Sequence, residues 1–130
     1  MAPVAARLAA GLDPAKLGPA CQTMVTLDWP QPQLTSDRIA GEVLCVDSFG
    51  NLITNIGRRE VEAFGNAATI IVDCGGRQIR GLVTTYGAAL SGELVALFDS
   101  QGRLEIASVA GNAACELNVK AGEPVIVHQP

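Results

Sequence analysis

From Ile39 to the C-terminus the chain is a succession of short apolar runs, each closed by a turn signal, and this pattern leaves few folds open. The runs are Gly41–Val46, Leu52–Thr54, Ala68–Asp73, Arg77–Thr84, Glu93–Phe98, Leu104–Ala107 and Pro124–His128. They are too short for helices of ordinary length and carry many β-branched residues, so they read as strands. Gly75-Gly76 between two of them is a two-residue hairpin signal, because both positions of the tightest hairpin turn need positive φ. Asp99-Ser100-Gln101-Gly102 marks a second turn. Arg58–Phe64 reads as a helix inside this region, with Gly65 as its stop. Seven short strands at this spacing predict a mainly β fold, a small barrel or sandwich with one or two short helices.

The first 38 residues read differently. Pro3–Gly11 predicts a short N-terminal helix, with proline near its start and glycine just past its end. A helix this short is marginal alone and needs a surface to pack on. Gly18–Arg38 has the composition of a linker, with Pro19, Pro30 and Pro32, and Met24-Val25-Thr26-Leu27 within it could add an edge strand. Trp29 reads as a packing anchor or an interface residue. The predicted division is residues 1–17 as the end of a preceding domain, 18–38 as linker and 39–130 as the β domain.

Composition narrows the function. Net charge is -4 and the closest basic cluster is Arg58-Arg59, so a nucleic-acid backbone is not an expected partner. No apolar run approaches the ~20 residues that span a bilayer, and the Ala-rich start is too short for a secretory signal. Cys21, Cys45, Cys74 and Cys115 are widely spaced, with no CxxC, and read as reduced, core-filling thiols of a cytoplasmic protein. A zinc site is not expected, since His128 is the single histidine. No Ser-His-Asp set and no phosphate-cradling glycine motif stands out.

Three segments carry candidate binding groups. Asp47-Ser48-Phe49-Gly50-Asn51 follows a strand and combines an acid, an aromatic and an amide. An aromatic face and an Asn amide suit a flat heterocycle such as adenine, and the carboxylate suits a cation on the same ligand. The same residues are also common in a tight turn for backbone reasons. Tyr86, the single tyrosine, lies at a strand end and reads either as a stacking platform or as a cap on the barrel. The segment from Ser100 to Asn112 opens as a hairpin and ends in small residues, where backbone groups at Ser108 and Ala110 could meet a ligand. Arg103 and Glu105 alternate with Leu104 and Ile106 and read as a solvated strand face.

Taken together, Gly41-Glu42-Val43-Leu44-x-Val46-Asp47-x-Phe49-Gly50-Asn51-Leu52-Ile53-Thr54-Asn55-Ile56, Thr85-Tyr86 followed by Ser91-Gly92-Glu93, and Ser100-x-Gly102-Arg103-Leu104-Glu105-Ile106-Ala107 resemble the C-terminal domain of the S-adenosyl-L-methionine (SAM) hydroxide adenosyltransferases, relatives of the SAM-dependent chlorinases and fluorinases. The resemblance covers roughly Ala2 to Val127. It implies a small β-barrel that binds SAM against the N-terminal domain of a neighbouring subunit in a trimer, with SAM as substrate, adenosine as product and no further cofactor. It places the Asp47 carboxylate on the methionine amino group, Phe49 at the pocket wall, Asn51 on adenine and Tyr86 stacked on the base. Ser100 would meet the amino-acid end, and the backbone near Ser108 and Ala110 the adenine edge. Gln101 and Ser108 stand where halogenating members carry Arg, which favours the hydroxide-using branch. Without the other domain's catalytic set, the chain alone is expected to be inactive. A non-catalytic barrel for assembly or small-ligand binding, and a partner subunit of a split enzyme, are the alternatives.

Overall fold

The computed structural model describes all 130 residues. Its β domain is one eight-stranded sheet curled almost into a barrel. The strands are β1 (Gln33–Leu34), β2 (Arg38–Val46), β3 (Leu52–Gly57), β4 (Ile71–Cys74), β5 (Arg77–Arg80), β6 (Leu94–Phe98), β7 (Arg103–Ser108) and β8 (Pro124–His128). They pair antiparallel in the order β5-β4-β8-β2-β3-β7-β6, with β1 added to β2. The two ends of that order meet where Val83 N–H donates to Ala96 C=O at 2.9 Å.

Alternation of apolar residues dictates what lies inside. On β3, Leu52, Thr54 and Ile56 are buried, and on β7, Leu104 and Ile106 join them with Val43, Val72, Val125 and Val127. These aliphatic side chains form one continuous core. Thr54 is buried among them without strain, because its hydroxyl donates to Leu104 C=O at 2.8 Å and accepts from Ile56 N–H at 3.1 Å. That pair of bonds sits where the β3–β7 register shifts between Ile53 and Gly57. The Thr54 hydroxyl thereby supplies partners to backbone groups beside the irregularity.

Three helices complete the fold: α1 (Ala2–Ala9), α2 (Arg58–Phe64) and α3 (Ala113–Leu117). α2 leaves the end of β3 and α3 follows the end of β7. Those strands run antiparallel, so the two helices cover opposite ends of the barrel. α2 buries Val61, and α3 buries Ala113 and Leu117. α1 buries nothing, and Val4 and Leu8 stay exposed. No helix is long and apolar enough to cross a membrane.

The structure corrects several local expectations. Met24–Leu27 is not a strand: the position beside the first half of β2 is taken by β1, and Met24, Val25 and Leu27 are exposed. The run Arg77–Thr84 ends as a strand at Arg80, because Gly81 turns with φ +70°. Ala68–Asp73 shrinks to Ile71–Cys74, since Asn66 organises a turn by accepting from Ala68 N–H. α3 was not expected; Asn112 starts it by accepting from Cys115 N–H at 2.8 Å, and Asn118 ends it in the left-handed region. The linker is not free along its length either. Asn55 Nδ2 donates to Pro30 C=O at 3.1 Å, and the Arg103 guanidinium lies 5.2 Å from the centre of the Trp29 ring.

Core-filling describes one cysteine out of four. Cys74 is buried, and burial pushes its thiol up to about 11, with the Glu123 charge adding to the effect. Cys21, Cys45 and Cys115 are exposed; Cys45 points away from the interior because it pairs with outward-facing Ile53 across the bulge in β2. Alkylation of the folded chain with iodoacetamide at neutral pH is expected to modify these three and spare Cys74 until denaturant is added, as read by intact mass and peptide mapping.

Candidate functional site

The loop between β2 and β3 is organised by Asp47. Its Oδ1 accepts from Phe49 N–H (2.8 Å) and Asn51 N–H (2.9 Å), and its Oδ2 accepts from the Asn51 side-chain amide (3.0 Å). Backbone bonds from Asp47 N–H to Asn51 C=O and from Gly50 N–H to Asp47 C=O close the turn. The turn reading of this motif is therefore fulfilled in full. The same bonds hold Asn51, almost fully buried, with its amide oxygen directed by the carboxylate on the opposite atom. Phe49 is thrust outward at the tip, 75% exposed.

This loop is joined to the one after β7. Gly50 C=O accepts from Ala114 N–H at 3.0 Å, and a Cβ on Gly50 would fall 2.2–2.3 Å from the Asn112 side chain. Ala110, in that second loop, takes a left-handed conformation with φ 56°. Ser108 closes β7 just before it; its side chain is buried and its hydroxyl has no hydrogen-bond partner in the chain. Asn51, Ser108 and Ala110 are thus brought to adjoining loops at one end of β3 and β7.

Tyr86 meets the middle of the same strand. It sits in a single 3-10 turn, Tyr86–Ala88, of the segment that crosses the outer face of β6 and β7. Val83, Ala89 and Val109 pack there on Val95, Leu97 and Ala107. The Tyr86 hydroxyl donates to Glu105 Oε1 at 2.5 Å, while the residue as a whole remains 44% exposed. Glu105 is only 4% exposed. The expectation of a solvated strand face at Glu105 is therefore wrong: β7 is covered on both sides, inside by the core and outside by residues 83–90. Nothing in the alternation of Arg103 to Ile106 announces that second cover. Arg103 is half-buried and lies against Trp29.

Burial pushes the Glu105 carboxyl above the ordinary carboxylate range; the Tyr86 bond opposes this, and the Asp47 and Asp99 charges add to it. The Tyr86 phenol is pushed up to about 12, chiefly by its bond to Glu105, then by burial and by the charges of Glu105, Asp47 and Asp99. The charges acting on this pair are all negative. Glu105 holds its proton more tightly folded than unfolded. The stability it contributes is complete below the unfolded value of ~4.3 and is lost as pH rises through the higher folded value. Glu105→Gln has no such loss. The melting temperature of this variant relative to wild type is expected to rise as pH increases from about 4 through the raised folded value, in paired thermal melts.

Ser100 and Gln101 lie elsewhere. They are exposed in the β6–β7 turn, where Asp99 Oδ1 accepts from Gln101 N–H and Arg103 N–H, both at 2.8 Å. That turn is at the far end of β7 from Ser108, roughly 17 Å away at ~3.3 Å per residue. Gln101 lines a surface groove of about 310 Å³ with Trp29, Asn55 and Arg103. A ligand touching both sets would have to extend along the strand, past Glu105.

Comparison with known proteins follows this geometry. Residues 41–126 match the family described as SAM hydroxide adenosyltransferase C-terminal domain. The chain is 39% identical over 126 residues to the (R)-S-adenosyl-L-methionine hydrolase of Thermus thermophilus, covering 95% of this chain and 45% of that protein. It is 36% identical over 124 residues to the hydrolase of the same name from Salinispora tropica, covering 94% and 46%. The chain thus spans about half the length of the curated relatives it matches. Among solved structures, an uncharacterized conserved protein from Thermotoga maritima superposes with a TM-score of 0.75 at 31% identity, over 98% of this chain and 50% of that one. A conserved hypothetical protein from Thermus thermophilus does so with a TM-score of 0.66 at 35% identity, again over 98% and 50%.

Proposed function

The chain belongs to the SAM hydroxide adenosyltransferase C-terminal domain family, and on that premise we propose that it supplies the nucleoside-binding face of an enzyme that hydrolyses SAM. In that reaction a water oxygen attacks the ribose C5′ as the bond to sulfur breaks. Methionine leaves with the electron pair, the water proton passes to solvent, and adenosine remains. The sulfonium is already an activated leaving group, so the protein's task is to align the reactants and exclude competing water.

The observation that carries the reading is the hydrogen-bonded pair Asp47–Asn51, in a loop fastened to the Ser108–Asn112 loop, with the Tyr86 ring exposed over the same strand. An amide held through its nitrogen by Asp47, together with an aromatic face, suits a purine. The exclusively negative charges around Tyr86 and Glu105 suit a ligand that carries a sulfonium and an ammonium group. Asp47 holds the ammonium in this proposal and Phe49 walls the pocket; Ser100 and Gln101, at the far end of β7, are reached only by a ligand extended along the strand.

Half of the contacts come from elsewhere in this reading. The exposed Met24, Val25, Leu27 and Trp29 favour a neighbouring surface, from a second copy or from a separate N-terminal domain. A half-site keeps the entropy cost of association and loses contacts, so adenosine is expected to bind the isolated chain in the millimolar range. Asn51→Ala is expected to weaken that binding severalfold in an NMR titration, and the purified chain is expected to release no adenosine from SAM. Sustained adenosine production by the chain alone would overturn the proposal, as would the absence of any adenosine binding.

A further inference from the structure

We propose that Glu105 is a positioning residue for the ligand: from the middle of β7 it grips the Tyr86 hydroxyl and so fixes the orientation of the ring that meets the base. The inference rests on the nucleoside-binding reading above and adds to it a residue that touches no ligand. Its first support is geometric. The O–H···O distance is 2.5 Å, the short range of a bond to a charged acceptor. Its second support is the contrast within the pair. Glu105 is 4% exposed on a strand hydrogen-bonded on both edges, to β3 and to β6, whereas Tyr86 is 44% exposed in a single 3-10 turn. The rigid partner is the carboxylate and the adaptable one is the ring.

The surroundings explain why an acid, and not a neutral group, is costly enough to need a reason. Asp47 from the β2–β3 loop and Asp99 from the β6–β7 turn both act on Glu105 with the same sign of charge, and Tyr86 from the crossing segment is its hydrogen-bond donor. A buried carboxylate facing two others would favour a neutral residue if it served packing alone. As a grip on a phenol it makes a stronger bond than an amide would, and it leaves the ring no donor role toward the ligand. The face of Tyr86 is then a pure stacking surface, set at one angle before the nucleoside arrives.

The test uses the single tyrosine of the chain. With ¹³C-labelled tyrosine the protein gives one Cζ resonance. In wild type that resonance is expected to shift with an inflection above the ordinary carboxylate range, and Glu105→Gln is expected to abolish the inflection. Adenosine titrations followed on the ring resonances, and on Asn51 amide signals for the variant without tyrosine, give dissociation constants. Tyr86→Phe keeps the ring and loses the hydroxyl; Glu105→Gln keeps the side-chain shape. Each is expected to weaken adenosine about fivefold, and the double variant no more than the weaker single one, because one removes and the other weakens the same bond. A mere staple of the crossing segment would lower the melting temperature and leave the dissociation constant of the folded protein unchanged. That result, or a Cζ shift indifferent to Glu105→Gln, overturns the positioning role. Failure of the wild-type chain to bind adenosine at all overturns the nucleoside-binding reading, and the positioning role with it.

Discussion

Gly50→Ala is expected to lower the unfolding free energy by about 2–3 kcal/mol, the sum of two separate penalties. Gly50 has φ +88°, a conformation that costs an L-residue roughly 1–2 kcal/mol. Its new methyl would also meet the Asn112 side-chain amide at 2.2–2.3 Å. Asn112 can swing away, but it then releases Cys115 N–H and uncaps α3, a loss of about 1 kcal/mol. For a chain of this size the melting temperature should fall by on the order of 10 °C. The double variant Gly50→Ala/Asn112→Ala isolates the second penalty. With no amide left to displace, its loss should be smaller than the sum of the two singles by about 1 kcal/mol, in urea titrations of all four proteins. Strict additivity would mean that the two loops are not coupled through this contact.

Asp47 gives the second large effect, and its two variants separate the turn from the site. Asp47→Ala removes the acceptor for two backbone N–H groups and for the Asn51 amide. Bonds to a charged acceptor are worth about 1.5–3 kcal/mol when buried, and these are only partly so, which suggests a total loss of about 2–3 kcal/mol. Asp47→Asn keeps the Oδ1 acceptor and should lose about 1 kcal/mol or less. It sets an NH₂ group opposite the Asn51 NH₂, so Asn51 must turn its amide over and exchange donor for acceptor. In a holoenzyme assembled with the N-terminal half, Asp47→Asn is therefore expected to fold with near-normal stability and to weaken SAM binding tenfold or more. Normal SAM affinity in that variant would reduce Asp47 to a turn residue.

What the sequence revealed and what it hid follow from one distinction. Features set by neighbours along the chain were readable. Gly75-Gly76 does form the two-residue turn, with φ of 55° and 72°, between Cys74 and Arg77. The alternating runs did become strands, and Arg58–Phe64 did become a helix ended at Gly65. Features set by distant partners were not. Met24–Leu27 has strand composition but no edge to join, since Gln33–Leu34 lies beside β2. The five-residue helix α3 is too short for periodicity, and its caps, Asn112 and Asn118, were the legible signal. At the candidate site, Asp47 and Asn51 were legible because the turn motif is local. Glu105 was not, because its burial depends on a segment some twenty residues earlier folding across the strand.

The closing contact runs from Val83, just past the end of β5, to Ala96 on β6, and bridges two ends of the sheet order that share no strand pairing. A cylinder sealed this thinly has a designated seam. Fluctuations that part the wall should begin there, and they would lift the Tyr86 segment away from its carboxylate before disturbing the aliphatic interior. Breathing of the barrel and loosening of the Tyr86 segment would then be one motion, with Arg77 and Arg80 at the two ends of β5 discouraging a foreign strand from entering the gap.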